Sequence, residues 1–197
     1  MPILLSDWPA AIIVLVGGFL GILFWRRRQA TQRVRAIQIA LRWQANGRKD
    51  SLCYADLRGA DLSGVRLGRE TEGEPCADLI GTNLKGAKLE RADLRGARLV
   101  SVNLQRANLE GADLRGACLE YANLKGASLK NTDLRQAKLG EVDLSAVDLS
   151  TALLSGAEYS YRTKWPAGFK PHQRGAKWDA LTRWKADYRR RMRQGRM

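Results

Sequence analysis

The chain has 197 residues, enough for one domain with flanking segments, and 34 Lys and Arg against 20 Asp and Glu give it a net charge of +14. Such an excess points to an anionic partner, either nucleic acid or lipid headgroups. Three scattered cysteines (Cys53, Cys76 and Cys118) and a single histidine, His172, argue against a disulfide framework, a metal centre or a histidine-based catalytic site.

The first element is apolar. Residues 8 to 25 read WPAAIIVLVGGFLGILFW without a charge. As a helix, eighteen residues span about 27 Å, close to the hydrocarbon thickness of a bilayer. Trp8 and Trp25 bracket the stretch, and Arg26, Arg27 and Arg28 follow at once. A cleaved signal peptide carries its positive charge before the apolar run and small residues at its end. This order is the reverse, so the spacing predicts an uncleaved single-pass transmembrane anchor over residues 1–25. The positive-inside rule puts the N-terminus outside, in periplasm or lumen, and the rest in the cytoplasm. Gly17 and Gly21 form a G-x-x-x-G pair on which another membrane helix, from a second copy or a partner, can pack closely.

Residues 26–50 form a basic juxtamembrane segment. Val34, Ile37 and Leu41 make a helical stripe, and Asn46-Gly47 supplies a stop. The stripe fits a cap for the following domain, while Arg26, Arg27 and Arg28 suit anionic headgroups.

From residue 51 to 160 leucine returns every fifth position. It stands at Leu57, Leu62 and Leu67, then at Leu79, Leu84, Leu89, Leu94, Leu99, Leu104, Leu109, Leu114, Leu119, Leu124, Leu129 and Leu134, and on to Leu154. Two places earlier stands a small residue, usually Ala. Helical leucines five apart would scatter by about 140°, and those of a straight strand would alternate between faces. The inward rows meet only if the chain turns the same way after each unit. Gly59, Gly64, Gly86, Gly96, Gly111, Gly116, Gly126 and Gly156 stand two past a leucine, where a turn is needed. The Asp or Asn before the leucine can bind nearby backbone. Stacked turns then pair at about 4.8 Å spacing around a dry leucine column.

This A-(D/N)-L-x-x pattern resembles the pentapeptide-repeat family. The resemblance implies a right-handed quadrilateral parallel β-helix, an all-β solenoid of about five coils with four units each. It also implies that leucine and the small residue point inward and the other three positions outward. Arg66, Lys88, Arg98, Cys118 and Lys138 occupy an outward slot, so they fit. One break, GRETEGEPC at 68–76, reads as a solvated bulge or a docking loop.

Residues 161–197 close the chain. Trp165, Pro166 and Phe169 fit a cap for the open solenoid end. TKWPAGFKP is similar to a segment that follows the repeats in cyanobacterial pentapeptide-repeat proteins. From about 176 to 193 the pattern predicts a basic amphipathic helix, with Trp178, Leu181, Tyr188 and Met192 on one side. Arg189, Arg190 and Arg191 are its strongest candidates for contact with lipid or a partner.

The charge is segregated. Residues 1–50 carry eight basic and two acidic groups, residues 51–160 carry 14 and 16, and residues 161–197 carry 12 and two. A nearly neutral rod disfavours the DNA mimicry of topoisomerase substrates that some family members perform. The Asp spacing is that of the repeat itself, so no catalytic, cofactor or metal site is expected. The expected function is a non-enzymatic scaffold on the cytoplasmic face of a plasma or thylakoid membrane. Its partners would be anionic lipid and a membrane-protein complex, with homo-oligomers allowed by the anchor. The alternative is a membrane-tethered protein that binds nucleic acid through its basic tail.

Overall fold

The computed structural model of the chain describes residues 37, 38, 40, 51–69, 76–180 and 182. Within them the backbone winds as a stack of four-sided rungs: 51–69, 77–96, 97–116, 117–136, 137–156 and 157–178. Residues twenty apart are parallel neighbours: Asp78 with Arg98, Arg98 with Cys118, Cys118 with Lys138 and Lys138 with Glu158. Twenty residues make four five-residue sides.

Each side follows from its five residues. The leucine N–H donates to a carbonyl of the next rung, nineteen residues on where the repeat is unbroken, as Leu84 does to Asn103 at 2.8 Å and Leu94 to Asp113 at 2.8 Å.

 The small residue's N–H instead donates back across the turn to the preceding leucine carbonyl, as Ala97 does to Leu94 at 3.0 Å. In most units the residue two past the leucine has positive φ, as a type II turn requires. The eight glycines named above adopt it, and so do Arg91, Ser101, Arg106, Tyr121, Asn131, Gln136 and Glu141, at φ of 55–61°. The turn is therefore imposed by the stack, and glycine only relieves its strain. The residue just past the leucine has its N–H pointing outward, and the Asp or Asn side chain accepts it: Arg95 to Asp93 at 3.1 Å, Gln105 to Asn103 at 3.1 Å, Glu110 to Asn108 at 3.1 Å.

The leucines fill the interior. Leu84, Leu89, Leu94, Leu99, Leu104, Leu109, Leu114, Leu119, Leu124, Leu129 and Leu134 are all 0–1% exposed. Each such side chain contributes about 1.5–3 kcal/mol of burial. Threonine replaces Ala at three inward positions and remains satisfied, because Thr82 donates to Leu52 O at 2.7 Å, Thr132 to Leu109 O at 2.9 Å and Thr163 to Leu139 O at 2.8 Å.

Both ends of the column are covered. Ala40 is buried and Ile37 packs against the core at the N-terminal side, so Ile37 of the predicted stripe does meet the solenoid. At the other end Trp165 and Phe169 pack against the core and stack on each other at 5.3 Å, and Tyr159 meets Trp165 edge-on at 5.3 Å. Pro166 stays partly exposed.

The tail differs from its predicted start. Lys177–Trp178 is not helical: it forms a strand, β2, parallel to β1 at Glu158–Tyr159. The open end of the ladder offers free carbonyls, and Lys177 N–H binds Ala157 O at 2.8 Å while Asp179 N–H binds Tyr159 O at 3.0 Å. These bonds outweigh the helical periodicity of Trp178. Helix begins at Ala180, with Asp179 Oδ1 accepting the Thr182 N–H at 2.6 Å.

The predicted anchor over 8–25 lies outside the described residues, as do Gly17, Gly21, Arg26, Arg27, Arg28, Arg189, Arg190 and Arg191. Among the described residues no helix is long and apolar enough to cross a membrane. Most of the acidic break at 68–76 is likewise outside them, although the ladder resumes across it: Asp56 pairs with Asn83 and Asp61 with Lys88.

Candidate interaction surface

Because each rung has four turns, the solenoid has four outer edges, each a column of residues one and two past a leucine. Their chemistry differs. One edge carries Arg69, Arg95, Arg115 and Arg135, and another carries Arg58, Lys85, Arg106 and Lys125. A third mixes Glu90, Arg91, Glu110 and Lys130.

Three of the four arginines on the first edge are paired within the fold. Arg95, Arg115 and Arg135 grip Asp93, Asp113 and Asp133 at 2.8, 2.7 and 2.6 Å. Arg95 also reaches Asp113 at 3.8 Å, and Arg115 reaches Asp133 at 3.6 Å, so successive rungs are linked. Burial pushes the Asp93 and Asp133 carboxyls up, but hydrogen bonds from Arg95 and Arg135 and the nearby guanidinium charges outweigh it, leaving both below the usual carboxylate range.

The fourth edge holds no Lys or Arg. Its column runs Tyr54, Gly81, Ser101, Tyr121, Glu141 and Tyr161, beside Ile80, Val100 and Glu120. Tyr54 is 77% exposed, and Tyr121 and Tyr161 are each 57% exposed. Gly81 is needed here: the Tyr54 ring lies where any Cβ at that position would stand. Tyr121 Oη donates to Glu141 Oε1 at 3.4 Å, and Glu141 raises the Tyr121 hydroxyl above its ordinary range. Arg162 binds Glu141 at 3.2 Å and lies 5.5 Å from the Tyr161 ring centroid. A groove of about 280 Å³ opens at the C-terminal end of this edge, between Tyr121, Glu141 and Tyr161 on one side and Asp179 and Thr182 on the other.

Sequence reasoning by fives missed this edge. The signal is a spacing of twenty, which places Tyr121, Glu141 and Tyr161 in one column. Of the outward slots named from sequence, Lys88 pairs with Asp61 at 3.5 Å and Arg98 with Asp78 at 2.8 Å, while Arg66 and Lys138 are exposed. Cys118 is half-buried, and burial and Glu120 push its thiol up. All three cysteines are free, and among the described residues no cluster of His, Cys, Asp and Glu is arranged to hold a metal.

The family model for pentapeptide repeats matches residues 77–116 and 117–156 in eight copies. The chain is also 30% identical to alr5209, a pentapeptide repeat protein from Nostoc PCC 7120, over 62% of this chain and 86% of that one, with a TM-score of 0.31. The chain belongs to the pentapeptide-repeat family. Its members fold as right-handed quadrilateral β-helices and are generally structural or interaction proteins. Among solved pentapeptide-repeat structures, Rfr23 from the cyanobacterium Cyanothece 51142 is 29% identical, covering 63% of this chain and 95% of that chain at a TM-score of 0.36. HetL from Nostoc sp. strain PCC 7120, described as involved in heterocyst differentiation regulation, is 27% identical over 69% of this chain and 90% of its own, at a TM-score of 0.18. No curated protein matches.

Proposed function

We propose that this pentapeptide-repeat protein is a non-enzymatic, membrane-anchored scaffold. Residues 8–25 cross the bilayer, Arg26, Arg27 and Arg28 lie among anionic headgroups, and the solenoid presents its outer walls to a membrane-protein complex. The observation that carries the reading is the division of labour in each unit. Leucine and the small residue are consumed by the core, and the other three positions form four edges of different chemistry. Such a rod holds a fixed pattern of side chains on a rigid frame, which suits docking more than turnover.

Two measurements test this. Deleting residues 1–25 should move the protein from the membrane to the soluble fraction, and a deleted form still bound in high salt would refute the anchor. A gentle detergent pull-down of the full chain should then recover a stoichiometric membrane-protein partner that survives salt. Salt-sensitive recovery of RNA or DNA in its place would favour the nucleic-acid alternative.

A further inference from the structure

We infer that the tyrosine edge is the docking surface for the chain's own basic C-terminal segment, residues 183–197. Three observations converge. The first is charge. In a protein of net charge +14, the column itself carries Glu120 and Glu141 and no Lys or Arg, with Asp179 at its end and Arg162 beside it on Glu141, while residues 183–197 hold seven basic groups and one acidic. Glu120 makes no ion pair among the described residues, and its one side-chain bond is from the Cys118 thiol at 3.4 Å. Arg162, on Glu141 and the Tyr161 ring, shows how a guanidinium is received there.

The second is placement. Thr182 is buried at the C-terminal end of the edge, and its Oγ1 accepts the Tyr161 N–H at 3.3 Å. The segment therefore departs from the groove itself. The third is length and pattern. Fifteen helical residues span about 22 Å, and the edge from Tyr161 back to Tyr54 is five rung steps, about 24 Å. At 100° per residue, Trp184, Tyr188 and Met192 share one stripe, with Lys185 on one flank and Arg191 on the other. The stripe matches Tyr121, Val100 and Ile80, and a flanking cation matches Glu120, the acid of the edge that makes no ion pair among the described residues. This inference does not depend on the anchor.

Limited trypsin digestion of the full chain in detergent tests it, because the segment is rich in cleavage sites. Cleavage after Arg189, Arg190 and Arg191 should be at least about tenfold slower in the parent than in Glu120→Arg. The parent rate should not change with protein concentration. Tyr121→Ser, at an exposed position, is a second variant expected to accelerate cleavage about threefold should Glu120→Arg misfold. Equal rates in parent and folded variants would overturn the inference. So would protection that rises with protein concentration, which indicates a second copy, or that appears only with anionic vesicles, which indicates lipid.

Discussion

The arginine edge and the tyrosine edge are built on one backbone. Both turn through positive φ, at Gly116 on the first and Tyr121 on the second, and both lie over buried leucines. They differ in where their side chains find partners. Arg95, Arg115 and Arg135 are held by Asp93, Asp113 and Asp133 in the same and adjoining rungs. Tyr54, Tyr121 and Tyr161 leave most of their surface in solvent. The first edge contributes to the fold, and the second offers area to something else. Exposed aromatic surface aligned in one column is a more informative sign of docking than net charge.

The largest perturbation removes both edges. Leu114 is fully buried, and Leu114→Asp puts a carboxylate in the dry column. The expected loss is about 4 kcal/mol or more, seen as unfolding in denaturant and rapid proteolysis. A variant as protease-resistant as the parent would contradict the packing.

Alanine at the turns separates the edges. Gly116 has φ of 66° and nothing near its missing Cβ, so Gly116→Ala should cost only the backbone strain, about 1–2 kcal/mol. Gly81 has φ of 63° and the Tyr54 ring against it, so Gly81→Ala should cost more and displace that ring. Denaturant midpoints for the two variants, measured together, check the order.

Acid acts on the arginine edge. The folded carboxyls of Asp93 and Asp133 lie below the ordinary value of about 3.9. Their stabilisation is present above that value and is lost as pH falls through the lower folded values. Melting temperature should drop with acidification below about pH 4, and less steeply in an Asp93→Asn, Asp133→Asn variant. A parallel decline in both proteins would show that these pairs add nothing. The smallest effect is on the other edge: Tyr121→Ala should change stability by no more than about 0.5 kcal/mol, because the ring is exposed.

The period of five made the interior legible, since Leu84 to Leu134 could be buried together only by a coil. The Asp and Asn roles were legible too, as backbone acceptors at each turn. Two things were not. Trp178 fitted a helical stripe, but the open ladder after Tyr159 captured Lys177–Trp178 as a strand, a tertiary demand that local periodicity does not carry. The tyrosine edge was hidden because its residues are neighbours only after the chain has closed a rung of twenty, and Tyr54 joins them only across the interruption at 68–76.

The most direct measurement is the distance between spin labels at Ser101→Cys and Gln194→Cys, in a full chain whose Cys53, Cys76 and Cys118 are serine. With the C-terminal segment laid back along the tyrosine edge, residue 194 comes alongside the third rung, and a narrow distribution near about 20 Å is expected. A broad distribution extending well beyond that distance, unchanged by Glu120→Arg, would contradict the assignment of this edge as the docking surface.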